Sequence, residues 1–176
     1  HGIFMDETCV QEMLAQGTYL VPTVAALRNI LDNVKNGIPD YVVEKTERVS
    51  ENHRRSIQMY YKAGGNIAMG TDAGTPFNKH GANAMELEFM ADLGIKPIDA
   101  LRFGTANSAD LMDLPDQGRV AAGTAADFLV VNGNPAEDIS MASRLENHRL
   151  VIKGGLPVSG QSVSAAGPNF QRMAAF

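Results

Sequence analysis

Two short β-rich runs, each closed by turn-forming residues and each followed by helical patterning, constrain this chain more than any other feature. "TYLVPTV" (18–24) is rich in β-formers and too short for a helix, so it reads as a buried strand. Its Pro22 belongs at the strand's end or at a bulge, because proline cannot donate to a ladder. "NIAMGTDAG" (66–74) reads as a second strand. Between them Val42, Thr46, Val49, His53, Ile57 and Tyr60 recur at roughly 3.6-residue spacing, the stripe of a long helix. Asp40 is its expected cap, and Gly64 and Gly65 end it. Upstream, Asp6 is a candidate N-cap for a helix carrying Val10, Met13 and Leu14, stopped at Gly17. Downstream, Leu87, Met90 and Leu93 mark another helix, Pro97 opens a further one as an N1 proline, and Thr105 is the expected cap of a third. Strands alternating with helices imply βαβ units and a parallel sheet. Ligands of such sheets gather at the carboxyl ends of the strands, and Asp72 stands at such an end.

The texture changes near residue 113. "DQGRVAAGTAADFLVVNGNP" is Gly-rich with one apolar run at Phe128 to Val131, and "NHRLVIKGGLPV" supplies another strand and a Gly-Gly turn. The expected division is therefore an α/β part over 1–113, a small β subdomain over 114–158, and a loose Ser/Ala/Gly-rich tail over 159–176. No internal repeat is visible.

Composition narrows the function classes. A net charge of −5 argues against nucleic acid, where a basic stripe is expected. With 44% apolar residues the chain is globular, yet no run approaches the roughly 18 apolar residues of a membrane span. Cys9 stands alone, which rules out an internal disulfide and fits a reducing compartment, so a cytoplasmic location is expected. The chain opens at His1 without an initiator Met, and residues 1–5 hold no cap or turn that would begin a domain. A segment of a longer protein is expected.

Asp72 has two readings: an Asx turn closing a loop, or a carboxylate held at a strand tip for chemistry. His80, eight positions later in a Gly- and Asn-containing loop, is by itself an ordinary solvated histidine. The two on one strand-end loop tilt the balance towards a site. His53 lies on the apolar stripe of its helix and reads as a packed, partnered histidine; His148 carries no signal.

Six segments in order carry a resemblance: "HG" before a helix, "TYLVPT", "GTDAGTP", "HGANAMELEFM", "ALRFGTANSADLM" and "GRVAAGTAADFLVVNGNPAEDI". Over residues 1–158 they resemble the C-terminal half of a metal-dependent amidohydrolase. The most similar branch is the imidazolonepropionase-like one, with its prolidase-type and Xaa-Arg/Lys dipeptidases and carboxypeptidases. The resemblance implies an α/β fold: the C-terminal half of a distorted (β/α)₈ barrel plus part of a small β-sandwich. It implies one or two divalent metals, zinc by expectation, and hydrolysis of a C–N amide bond in a dipeptide or N-acyl amino acid. By motif, His1 matches a metal-ligating histidine ending strand six. Asp72 matches the aspartate ending strand eight, which touches a metal, acts as general base and then protonates the leaving amine. His80 matches a histidine that contacts substrate, and Thr23, ending strand seven, faces the pocket. Expected partners are the small-molecule substrate, the N-terminal half of the barrel and further copies of the chain.

The chain departs from that pattern. The paired histidines of strand one, the carbamylated lysine of strand four and the histidine of strand five have no counterparts here. A catalytic zinc site needs at least three protein ligands, so this chain by itself is expected to be inactive. The alternatives are a non-catalytic half-barrel assembly module, with an exposed sheet edge, and a deaminase or cyclic-amide hydrolase of the same superfamily.

Overall fold

The structure, a computed structural model, describes residues 1–160. Helix α1 (Glu7–Ala15) starts where Asp6 accepts from the Cys9 amide at 2.8 Å, the N-cap expected of it. Strand β1 (Tyr19–Leu20) follows, then α2 (Val24–Asp32), α3 (Asp40–Lys62) and strand β2 (Asn66–Ile67). Helices α4 (Met85–Asp92), α5 (Pro97–Gly104) and α6 (Ala106–Leu111) complete the first part. The second part holds β3 (Phe128–Val131), the short α7 (Ser140–Ser143), β4 (His148–Lys153) and β5 (Leu156–Gly160).

β1 and β2 pair in parallel, Tyr19 with Asn66 and Leu20 with Ile67, and the long α3 crosses between them. The strands are shorter than the sequence pattern suggests, for local reasons. Beyond Leu20, Pro22 has no N–H to offer and Thr23 turns left-handed (φ 55°), so Val24 starts a helix instead of extending the strand. Beyond Ile67, the Met69 amide donates to Phe103 O at 3.0 Å, and Asn107 Nδ2 donates to Ile67 O at 2.9 Å. The free edge of β2 is thus satisfied by α5 and α6 rather than by another strand.

Three other expectations are corrected. α2 was not visible in the pattern. Asp40 is the first residue of α3, with Pro39 at the cap position, so it acts as an acidic first-turn residue facing the helix dipole. Thr105 takes the expected cap position of α6, where its carbonyl accepts from the Ala109 amide at 3.0 Å, but its Oγ1 makes no cap bond and instead donates back to Leu101 O at 2.7 Å.

The core lies between α3, the strand pair and α4–α5, where Ile57, Tyr60, Ile67, Met90 and Ile95 are fully buried. Tyr60 sits beneath Gly65, where a Cβ would come within 2.4 Å of its ring. At the site end of the strands Gly70 plays the same part. A Cβ there would meet Val21 Cγ1 at 2.4 Å, so only glycine lets the two strand ends approach this closely. Gly70→Ala is therefore expected to cost about 1–3 kcal/mol through overpacking. A lowered denaturant midpoint at unchanged slope is the readout, and an unchanged midpoint would mean that the strand ends have slack.

β3, β4 and β5 form an antiparallel sheet, with Phe128 opposite Ile152 and Lys153 opposite Leu156. Gly154 and Gly155 turn the last hairpin with φ of 57° and 81°. β5 continues through Ser159 and Gly160, two residues into the stretch expected to be loose; the remainder of that stretch, 161–176, lies outside the described residues. The small sheet is tied to the first part through α7: Arg144 donates twice to Glu88 on α4, at 2.9 and 2.8 Å, and Ser143 adds a third bond. Those partners hold the Glu88 carboxyl below its ordinary range, Arg144 foremost.

Candidate active site

The ends of β1 and β2 leave the sheet side by side, and both do so through a non-glycine residue in the left-handed region: Thr23 with φ 55° and Asp72 with φ 56°. Such backbone costs on the order of 1–3 kcal/mol per residue and persists where its surroundings over-determine it. After Asp72 the loop folds back on itself. Asn78, buried, donates to Thr71 O, and its own carbonyl accepts from the Gly74 amide at 2.8 Å. The Asx-turn reading of Asp72 does not apply: Thr75 bonds the Asp72 main-chain carbonyl, while the carboxylate faces His1.

His1, Thr23 and Asp72 line one cavity of about 470 Å³, a size suited to a small-molecule ligand. His1 Nε2 lies 4.0 Å from Asp72 Oδ2, with both side chains about half exposed. On the other edge of the ring, His1 Nδ1 bonds Thr23 Oγ1. The Thr23 hydroxyl donates its only proton to Pro22 O at 2.7 Å, so it accepts from His1 Nδ1–H. In the neutral ring Nε2 then presents a lone pair to the Asp72 carboxylate. Two acceptors facing each other at this distance and exposure are bridged by a water donating to both, by a proton or by a metal ion.

His80 is not brought to this place. It is exposed, lies over Gly74 and does not line the cavity. His53 is 3% exposed and bonded, as its position on the apolar stripe predicts. Its Nε2–H is shared between His1 O at 3.0 Å and Pro22 O at 2.9 Å, and burial lowers its pKa, keeping it neutral.

The rest of the cavity is apolar. Ala26, Leu27 and Ile30 of α2 form one wall; Val42 and Val49 of α3 form another, with Lys45 between them. The aromatic rings of Phe4 and Tyr41 at this cavity are 69% and 72% exposed. The first half of the α3 stripe thus faces the cavity and the second half the core, a split that periodicity alone does not reveal.

Glu86, which sequence reasoning missed, holds the backbone beside Thr23. It is 0% exposed, and its two oxygens accept from the amides of Val24 and Ala25 at 2.8 and 2.7 Å, capping α2 from 62 residues away. Its one local signal is a charge on the apolar face of α4 beside the buried Leu87, Phe89 and Met90. Burial pushes its pKa up to about 7, against the two amide bonds that favour the anion. The folded chain therefore holds a proton here that the unfolded chain, with a pKa near 4.5, has released. Stability from Glu86 falls as pH rises from about 4.5 to about 7, by up to about 3 kcal/mol. His53 has the opposite slope: its folded pKa lies below 6.5, so its contribution is present above 6.5 and lost as pH falls through the folded value. Glu86→Gln should abolish the first slope and leave the second. Denaturant midpoints measured across this range check it, and curves parallel to wild type would contradict the assignment.

Among the described residues no three His, Cys, Asp or Glu side chains converge as a metal-binding group. His1 and Asp72 fit as two ligands of a divalent ion. Donors about 2.0–2.1 Å from a tetrahedral zinc stand about 3.4 Å apart, about 0.6 Å closer than the 4.0 Å between Nε2 and Oδ2 here. They do not suffice for a complete site.

The comparisons with known proteins agree with the fold. The amidohydrolase family matches residues 4–158. Ochratoxinase from Aspergillus niger is 28% identical over 170 residues, covering 95% of this chain and 35% of that protein. A crystal structure of a Xaa-Pro dipeptidase with methionine bound in its active site superposes with a TM-score of 0.79 at 37% identity, over 91% of this chain and 39% of that one. A prolidase complexed with N-methylphosphonate-L-proline gives a TM-score of 0.81 at 27% identity, over 92% and 40%. The chain thus spans between a third and two-fifths of the length of these relatives, and its parallel strand pair and helices are part of their (β/α)₈ barrel architecture. With strand ends, cavity and family match in agreement over most of its length, this chain belongs to the amidohydrolase family.

Proposed function

We propose that the chain contributes the His1–Asp72 side of a metal-dependent centre that hydrolyses a C–N amide bond in a small molecule. The expected substrate is a dipeptide or N-acyl amino acid with a bulky apolar group. The observation that carries the reading is the place of His1 Nε2, 4.0 Å from the Asp72 carboxylate at the mouth of the cavity, with the other ring nitrogen bonded to Thr23 Oγ1. His1 Nε2 and Asp72 would hold the divalent metal, zinc by expectation, with the remaining ligands coming from residues beyond these 176. When bound, the metal would polarise the amide carbonyl and acidify a water.

In this reading the Asp72 carboxylate takes a proton from the attacking water as oxygen bonds to the amide carbon. It then returns that proton to the nitrogen as the C–N bond breaks. The left-handed backbone at Asp72 fixes the carboxylate at the rim of the cavity, where both transfers occur without a change of backbone. The apolar walls from α2 and α3 would hold the substrate's apolar group and exclude water beside the reacting bond. Support from relatives is of the same kind, since names such as ochratoxinase and Xaa-Pro dipeptidase denote hydrolytic enzymes.

The test is a panel of dipeptides and N-acyl amino acids, assayed on the complete barrel with and without chelator. Faster cleavage of apolar than of acidic members, abolished by chelation, is the expected result. Activity indifferent to chelator would overturn the reading. A deaminase reading has one observation of its own, a 39% identical match over 70 residues to adenine deaminase from Lactobacillus delbrueckii subsp. bulgaricus. Ammonia release from aminopurines, with no cleavage of amides, would favour it.

A further inference from the structure

Thr23 is the point where three buried constraints meet. It is a β-branched residue with φ 55° and ψ 48°, a conformation that such side chains avoid. On its N-terminal side, the Pro22 carbonyl is held by the His53 Nε2–H at 2.9 Å, a donor carried by α3. On its C-terminal side, the Val24 and Ala25 amides are held by the two oxygens of Glu86, carried by α4. The same His53 proton also reaches His1 O at 3.0 Å, so one side chain pins the backbones of both residues whose side chains then bond, His1 and Thr23. Neither clamp is a surface contact: His53 is 3% and Glu86 0% exposed.

From this arrangement we propose that His53 and Glu86 are positioning residues that hold Thr23 left-handed, and that Thr23 in turn fixes the ring orientation and tautomer of His1, with Nε2 free towards Asp72. Thr23 is then a group that orients a neighbouring side chain rather than one that grips substrate. The proposal rests on the His1–Asp72 pair being the working centre, but its physical content is a hydrogen-bond relay that exists without metal or substrate.

Two properties make the relay directional. The Thr23 hydroxyl has one proton, and Pro22 O takes it, so the oxygen has only acceptor capacity left for His1. A histidine that donates through Nδ1 must leave Nε2 bare, and this is the form that can ligate a cation there. Glu86 secures the other half: with the first two amides of α2 bound to Glu86 and the Pro22 carbonyl bound to His53, neither peptide plane flanking Thr23 can rotate without breaking a buried bond.

The test is ¹⁵N NMR of the imidazole nitrogens and amide hydrogen exchange, on the metal-free chain. In wild type, His1 is expected predominantly as the Nδ1–H tautomer, against the Nε2–H preference of free imidazole. Thr23→Val should remove that bias, and Thr23→Ser, which keeps the hydroxyl, should restore it. Glu86→Gln retains only one acceptor oxygen. It should therefore speed exchange of the Val24 and Ala25 amides by about five- to tenfold, the equivalent of one net hydrogen bond, and weaken the His1 bias. The Ile57 and Ile67 amides in the core should be unchanged, which separates positioning from general loosening. An Nε2–H tautomer in wild type overturns the proposal without any variant. Retention of the Nδ1–H form in Thr23→Val, or unaltered exchange and tautomer in Glu86→Gln, does so as well. Because none of these readouts contains metal or turnover, a failure of the hydrolase reading alone leaves them unaffected.

Discussion

Asp72→Asn, assayed in the assembled metal-loaded enzyme, should lower kcat for amide hydrolysis by about 10²–10⁴-fold, the range of a lost general acid–base. Asparagine keeps the shape and one acceptor oxygen but cannot take a proton from water or return one to the leaving nitrogen. The substitution should spare the fold. The carboxylate is about half exposed and faces His1, while the loop is closed by the main-chain carbonyl of Asp72 and by Asn78. KM should move much less than kcat, because the apolar walls of the cavity are untouched. Full activity in this variant would remove Asp72 from both proton transfers.

The largest expected loss of stability is that of Glu86→Ala. The substitution strips the side-chain acceptor from two amides at the start of α2, each worth about 1–3 kcal/mol when left unpaired. It also removes a helix cap and opens a void beside Leu87 and Met90. Relief from burying a carboxylate offsets part of this, leaving a net cost of about 3 kcal/mol at neutral pH. Glu86→Gln should cost less, since it keeps one acceptor and buries no charge. Denaturant unfolding of the two variants beside wild type measures both, and an Ala variant within about 0.5 kcal/mol of wild type would contradict the capping role.

What was legible in the sequence follows from how far each signal reaches. α1, α3, α4 and α5 declare themselves through apolar stripes, a cap at Asp6 and a proline at position 97, all local features. α2 does not, because "VAALRNILD" follows directly on a β-rich run and the break between them lies in the backbone at Thr23, where only φ changes sign. The missed helix hid one apolar wall of the cavity, formed by Ala26, Leu27 and Ile30. Asp72 was legible because a carboxylate at a strand tip is a local pattern. Glu86 was not, because its partners lie 61 and 62 residues away and a glutamate in a helix is ordinary until the partners are known. His80 lies in the loop after the strand, as expected, but the fold-back through Asn78 leaves it outside the cavity.

The central claim is that His1 and Asp72 share one divalent ion. Calorimetric titration of zinc into this chain, into His1→Ala and into Asp72→Asn tests it most directly. Two ligands of an incomplete set should bind weakly, and each substitution alone should abolish that binding. An absent or disordered set of supporting bonds would weaken it about 10- to 100-fold further. Supplying the rest of the barrel in trans should raise both affinity and stability, since metal bound only by the assembled form draws the folding equilibrium with it. Asp72→Asn is the decisive arm, because a chelate formed by the His1 amine and its own ring would not depend on it. Weak binding lost in both variants is the predicted result; tight stoichiometric binding, or binding indifferent to Asp72, would contradict the ligand assignment.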